Sequence, residues 1–348
     1  MYKKLPIPKS TNFLEERILE KSFKGIKFSR EELAYLLYEL DSESLYALAD
    51  KIRKEQRGNL VFLRAIIEFS NYCRNNCLYC GIRRDNKELK RYRMKEKEIL
   101  AEAEKLVLKG FKTIVLQSGE DPLWDAKRLS KVVKEIKKFG VAVTLSVGEL
   151  DYKDYAILRE AGADRYLLKH ETIDKKLFSW LKPDTTLEKR IRCLFWLKEL
   201  EYEVGAGCII GLPGQTLDSL IDDLLFLQEL KPDMVGHGPF IPHPKTPLAG
   251  FPYGNPELVL KIVALTRIIL PYANIPATTA LGVINPVYRI KAFYAGANVI
   301  MPDLTPEKYK TFYEIYPGKG IQKFDLNGWL ETFRKMGRKT DLSPINYH

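Results

Sequence analysis

From Val61 onward the chain alternates short apolar runs with amphipathic stretches, and that alternation leaves few folds open. The runs VFLRAIIEFS, TIVLQS, VAVTLSV, RYLLKH, VGAGCII, MVGHGPF, IPATTAL and NVIMP have the length and make-up of strands. Between them lie KEKEILAEAEKLVLKG, AKRLSKVVKEIKKFG, YKDYAILREAG, TLEKRIRCLFWLKEL, TLDSLIDDLLFLQEL, NPELVLKIVALTRIIL and NPVYRIKAFYAG, with apolar residues at helical spacing and several helices ending at glycine. Eight strand runs joined by helices predict an α/β fold, a (β/α)8 TIM-type barrel, with a doubly wound sheet as the competing arrangement. A length of 348 residues fits one such barrel with extensions as well as two domains. Residues 1–57 are expected to form an N-terminal helical cover, since SREELAYLLYEL and SESLYALADKIRKEQ each begin at a serine able to cap the first turn. The barrel is expected over residues 58–318, and the polar stretch 319–348, with one short helical segment, as a tail packed under or across it.

Lys and Arg number 56 against 45 Asp and Glu, a formal charge of +11. The charges interleave without a basic tail or stripe, so no nucleic-acid partner is expected; anionic substrates or an acidic partner account for the excess. No apolar run approaches the ~18–20 residues that cross a bilayer. The opening MYKKLPIPKSTNFLEERILEK has neither the apolar block nor the small-residue cleavage site of a secretory leader. A cytoplasmic chain with no membrane partner, monomeric, is the expectation. Five cysteines are too few and too unevenly placed for a disulfide scaffold.

Three of those five fall in NYCRNNCLYCG, where Cys73, Cys77 and Cys80 are separated by three and two residues directly after the first strand run. That is the mouth of a barrel, where chemistry sits. Three thiolates on one loop can share a metal centre. Structural zinc wants four closed ligands, and no fourth Cys or suitable His is near. An iron–sulfur cluster on three cysteines keeps one iron open, as a catalytic site requires. Tyr79 would lay its ring over the cluster or a ligand, or pack in the loop.

CRNNCLYC resembles the CX3CX2C signature of the radical S-adenosylmethionine (SAM) enzymes. The stretches FLRAIIEFSNYCRNNCLYCGIRRDNKELKRYRM, KTIVLQSGEDP, GVAVTLSVGE, AGADRYLLKHET, GLPGQT, DMVGHGPFIPHPKTPLA, LTRIILPYANIPATTALG and AGANVIMPDLTP extend the resemblance to the HydE-type [FeFe]-hydrogenase maturases, from about residue 25 to residue 318. The resemblance implies a [4Fe–4S] cluster on the three cysteines, with SAM chelating the open iron and reduced to a 5′-deoxyadenosyl radical. It further implies that Gln117, Ser118, Gly119, Glu120 and Ser146 line the cofactor, that Glu171 hydrogen-bonds it, that Arg190 pairs with its carboxylate, and that Ile209 touches the adenosine beside Cys208. The implied substrate is a small anionic or sulfur-containing species on the way to the hydrogenase two-iron subcluster. A ferredoxin- or flavodoxin-like donor and other hydrogenase maturases are the implied partners.

Strand alternation sends Arg165, Leu167 and Lys169 to one face and Tyr166, Leu168 and His170 to the other. Two cations facing a lumen make sense as walls of an anion pocket, because buried charge is costly unless paired. The family resemblance adds Arg64, Thr278, Thr279, Tyr313 and Tyr316 to that pocket, with the two threonines expected to end the seventh strand. GLPGQT lacks the lysine of a phosphate-binding loop and is expected to turn a strand into a helix capped by Thr216. Cys193, Cys208, His237 and His243 are expected to pack or turn. Two departures stand out: GKGIQKFDLNGWLETFRKMGRK has no cysteines for an auxiliary cluster, and Lys169 replaces a frequent arginine. Two alternatives share these signals: a radical enzyme of small-metabolite synthesis, such as a methylornithine or biotin synthase, and a non-catalytic iron–sulfur scaffold.

Overall fold

The computed structural model describes residues 11–321 and 323–341. Its strands are β1 (Leu60–Leu63), β2 (Ala65–Ser70), β3 (Thr113–Ser118), β4 (Ala142–Ser146), β5 (Arg165–Leu167), β6 (Glu203–Ala206), β7 (Ile209–Ile210), β8 (Met234–Val235), β9 (Gly238–Pro239), β10 (Val299–Ile300) and β11 (Lys339–Asp341). The main sheet runs β2-β3-β4-β5-β6-β8, every pair parallel. Parallel bridges Met234↔Asn274 and Pro276↔Val299 carry the ladder to β10, which pairs with β1, and Ile66↔Asp303 completes the circuit. The result is a closed barrel of eight parallel segments, the (β/α)8 alternative rather than the open sheet. Closure explains why every residue of β2 is buried, Glu68 included: the lumen lies on one side and helices on the other.

One segment departs from the sequence expectation. IPATTAL contributes only isolated bridges, and Thr279 opens the helix Thr279–Ile284 with Thr278 as its N-cap residue. The threonines therefore begin a helix. β-Branched residues suit strands, but here the backbone donors of Ala277 and Asn298 are taken by Val299 and Ile275, and no partner strand continues past them.

The N-terminal helices lie on the outer wall. Arg30–Tyr38 is closed by a capping box between Ser29 and Glu32. Ser42–Arg57 is capped by Asp41, one residue earlier than its expected serine. Gln228 exchanges two hydrogen bonds with the Phe28 backbone, accepting at 2.8 Å and donating at 3.0 Å, which fixes the cover to helix Leu217–Leu230. At the other terminus, helix Leu326–Lys335 sets Phe333 edge-on to Phe293 at 4.9 Å. β11 then pairs with β1, Leu60 opposite Lys339, which lays Lys339–Asp341 across the barrel's foot. Residues 1–10 and 342–348 of the expected cover and tail lie outside the described residues.

Candidate active site

The loop after β2 carries the cysteine trio, and its shape is set by backbone hydrogen bonds. Asn71, fully buried, donates from Nδ2 to the carbonyls of Lys90 and Phe312 and accepts from Tyr92 N. Arg91 reaches across the loop to four carbonyls, those of Asn71, Ile82, Arg83 and Asn86. Gly119, at the end of β3, lets the loop come close: a Cβ there would lie 2.3 Å from Tyr72 O and 2.8 Å from the Cys73 Cβ. Gly81 does the same on the far side, where a Cβ would meet Glu314 O at 2.1 Å. The glycine of SGED thus serves the loop's approach to the barrel.

A cavity of about 400 Å³ opens below this loop and runs into the lumen. Cys73, Cys77 and Cys80 line its mouth with Tyr79, Gln117, Ser118, Gly119, Glu120, Ser146, Glu171, Arg190 and Ile209; Lys169, Thr278, Thr279, Tyr313 and Tyr316 line it further round. Arg64 and Arg165 are not among its walls. Arg165, the first residue of β5, donates from Nε to Glu203 Oε2 at 2.5 Å, the first residue of β6, and from Nη1 to Thr113 Oγ1 at the start of β3. Arg64 donates to Met234 Sδ at 3.2 Å. Both are buried toward the N-terminal strand ends: Arg165 faces inward, as alternation predicts, and its depth places it beside an acid of the next strand.

At the mouth the cations are also paired. Arg190 donates from Nε to Glu149 Oε1 at 2.6 Å and to the Lys169 carbonyl. Thr185 Oγ1 donates to the other Glu149 oxygen at 2.6 Å. Burial pulls Glu149 upward, but Arg190 and these donors outweigh it and hold the carboxyl below its usual range. Glu120, expected to receive an ammonium, already accepts from Arg74 Nε at 3.0 Å and Glu149 N at 2.9 Å. Glu171 sits at φ 68°, a strained setting for a residue with a Cβ, and its backbone pairs with Gly207 and Ile209. Its Oε2 is buried without a hydrogen-bond partner, with Lys169 Nζ 3.5 Å away.

Three contributors escaped the sequence reading. Glu149 was legible, since it ends GVAVTLSVGE at a strand's C-terminal edge. Lys182, in a plain LKPD turn, donates to Cys77 Sγ at 3.1 Å. Lys319 reaches from the tail into the cavity wall, pairing with Glu68 and with Asp303 at 3.2 Å. Burial raises Glu68 well above the ordinary carboxyl range despite that ammonium. The histidines pack as expected: His237 Nε2 lies 2.9 Å from Thr266 Oγ1 and burial keeps it neutral, while His243 Nδ1 accepts from Lys245 N. Cys208, His170 and Asp223 bring ligand atoms within 4.8 Å of one another, but His170 and Asp223 lie behind the strands, away from the cavity.

The residues present fit an iron–sulfur cluster with SAM. The loop offers three cysteines, all free, where structural zinc takes four closed ligands. Burial and the neighbouring sulfurs push the Cys73 and Cys80 thiols up, and a bound cationic metal would favour their thiolates. Glu171 and Thr278 line the same cavity, and Glu171 Oε2 and Thr278 Oγ1 are buried without a hydrogen bond, as acceptor sites for polar ligand atoms would be.

A family model of the Radical SAM superfamily matches residues 67–227. The chain is 58% identical over 305 residues to the [FeFe] hydrogenase maturase subunit HydE of Thermotoga maritima, covering 87% of each. The chain belongs to the radical SAM superfamily, among the HydE-type maturases. It is also 34% identical over 292 residues to 3-methylornithine synthase of Methanosarcina acetivorans, 82% of each chain. The crystal structure of methylornithine synthase superposes with a TM-score of 0.83 at 29% identity, over 93% of this chain and 97% of that one. Radical SAM enzymes use a [4Fe–4S] cluster and SAM, and this barrel is theirs. No helix among the described residues is long and apolar enough to cross a membrane.

Proposed function

We propose that this radical SAM enzyme acts in assembly of the [FeFe]-hydrogenase two-iron subcluster, with Cys73, Cys77 and Cys80 as the cluster ligands. When bound, the reduced cluster supplies the electron that splits SAM into methionine and a 5′-deoxyadenosyl radical. The chain's own residues do the rest. Glu171 offers a buried acceptor to the cofactor, and Arg190, held rigid by Glu149, presents its remaining guanidinium edge to a carboxylate. Tyr79 and Ile209 pack against the small apolar cluster of Leu177, Leu181, Leu212, Phe240 and Leu248 and close the mouth against water. Deeper in, Thr278, Thr279, Tyr313, Tyr316 and Lys319 supply hydroxyls and one ammonium for a small anionic or sulfur-containing substrate. A ferredoxin- or flavodoxin-like protein delivers the electron, and other maturases supply or receive the iron species.

The observation that carries this reading is the convergence of the three cysteines and a buried Glu171 oxygen that accepts no hydrogen bond on one cavity. Anaerobic reconstitution tests it. Wild-type protein is expected to bind four irons per chain on the general stoichiometry of such clusters, to show a reduced-cluster spin signal perturbed by SAM, and to yield 5′-deoxyadenosine. Cys73→Ala, Cys77→Ala and Cys80→Ala should each lose the signal and the product. Unchanged product from any of them would remove the assignment, and formation of methylornithine would transfer the chain to that neighbouring activity.

A further inference from the structure

Lys182 is the residue whose position the reaction as described does not use. It is 5% exposed, in a position where an ammonium has lost almost all its water. Its place is fixed by the end of a helix: Lys182 is the C-cap of Lys175–Leu181, its own N–H donating to Phe178 O. The same helix end is joined to the cysteine loop, Leu78 N donating to Leu181 O at 2.9 Å. One hydrogen bond therefore ties the lysine's backbone to the residue following Cys77. Leu78 and Tyr79 pack with Leu177 and Leu181, so helix end and loop move as one body. From there Nζ reaches Cys77 Sγ at 3.1 Å and lies 6.0 Å from the Tyr79 ring centre.

The geometry points to Lys182 as a positioning residue that donates an N–H···S hydrogen bond to the Cys77 thiolate and so raises the reduction potential of the cluster. The inference rests on the ligand assignment proposed above. One-electron reduction makes the cluster and its thiolates one unit more negative. A fixed cation in a low-dielectric wall stabilises that added charge more than the oxidised state, and hydrogen bonds to cluster sulfur act in the same direction. A solvated surface lysine would be screened and would do neither.

The test is a redox titration of the reconstituted enzyme, followed by the spin signal of the reduced cluster. Lys182→Met should move the midpoint to a more negative potential. At a fixed poise the reduced-to-oxidised ratio should fall about tenfold, equivalent to about 59 mV for a one-electron couple. Lys182→Arg, which keeps charge and donor, should recover most of the shift. A Lys182→Met midpoint equal to wild type overturns the inference, as does a shift that Arg fails to recover. Should Lys182→Met hold no cluster, the wild-type enzyme decides: iron–sulfur stretching bands that shift between H2O and D2O support the hydrogen bond, and bands that do not shift overturn it. Failure of the wild type to bind iron would instead count against the cysteine assignment itself.

Discussion

The barrel buries two arginine–glutamate pairs of similar make-up at opposite ends. Arg190 and Glu149 stand at the mouth with side chains 3% and 2% exposed; Arg165 and Glu203 stand at the foot with 3% and 22%. The foot pair joins neighbouring strands in register, Arg165 opposite Glu203, and ties β5 to β6. The mouth pair joins a loop after β4 to a helix, Leu187–Glu199, and its arginine lines the cavity. The same two residue types hold the scaffold together at one end and orient a cavity-facing guanidinium at the other, and the difference lies in which strand end they occupy.

The largest effect expected to separate the two ends comes from Arg190→Met. It strands a buried carboxylate, at a cost of about 3–5 kcal/mol, and should abolish SAM binding as well. Denaturant melts with a SAM titration check both. Arg165→Met should cost less, about 1–3 kcal/mol, because water reaches Glu203, and should leave SAM binding and 5′-deoxyadenosine formation near wild type. Loss of SAM binding in Arg165→Met would erase the contrast.

Acid should also tell the ends apart. Glu149 is held below its ordinary value by Arg190 in spite of burial, so its contribution is present above the unfolded carboxyl range and fades as pH falls through the folded value. Burial lifts Glu203 above its ordinary value in spite of Arg165, so protonation there favours the folded state as pH falls. In melts from about pH 6 to 3, spanning the ~4.3 of a free glutamate, Glu149→Gln should flatten the acid loss and Glu203→Gln should steepen it. The smallest change expected is Thr278→Val. Its hydroxyl is buried without a partner, so stability should move by less than about 0.5 kcal/mol while a polar substrate binds more weakly.

Much of this was legible in the chain. Strand alternation put Arg165, Leu167 and Lys169 inward and sent Tyr166, Leu168 and His170 outward; Tyr166 packs edge-on to Tyr155 and Tyr202 and His170 lies 3.3 Å from Asp223, but Leu168, past the end of β5, lines the cavity with Leu167 and Lys169. It could not say how deep each inward side chain would lie. Lys182 and Lys319 gave no signal, because a lysine in a turn or a tail reads as solvated.

Periodicity and spacing are local, and on their own they determined the alternating strand–helix order, the cap at Ser29 and the three-cysteine loop, but not the cap of Ser42–Arg57 or the end of the seventh run. Pairing is not local. Lys182 meets a sulfur 105 positions away and Lys319 meets Glu68 across 251. Only closure of the barrel brings such groups together, and only their distance from water decides which charges need partners, so the tertiary structure alone brought Lys182 and Lys319 to the site.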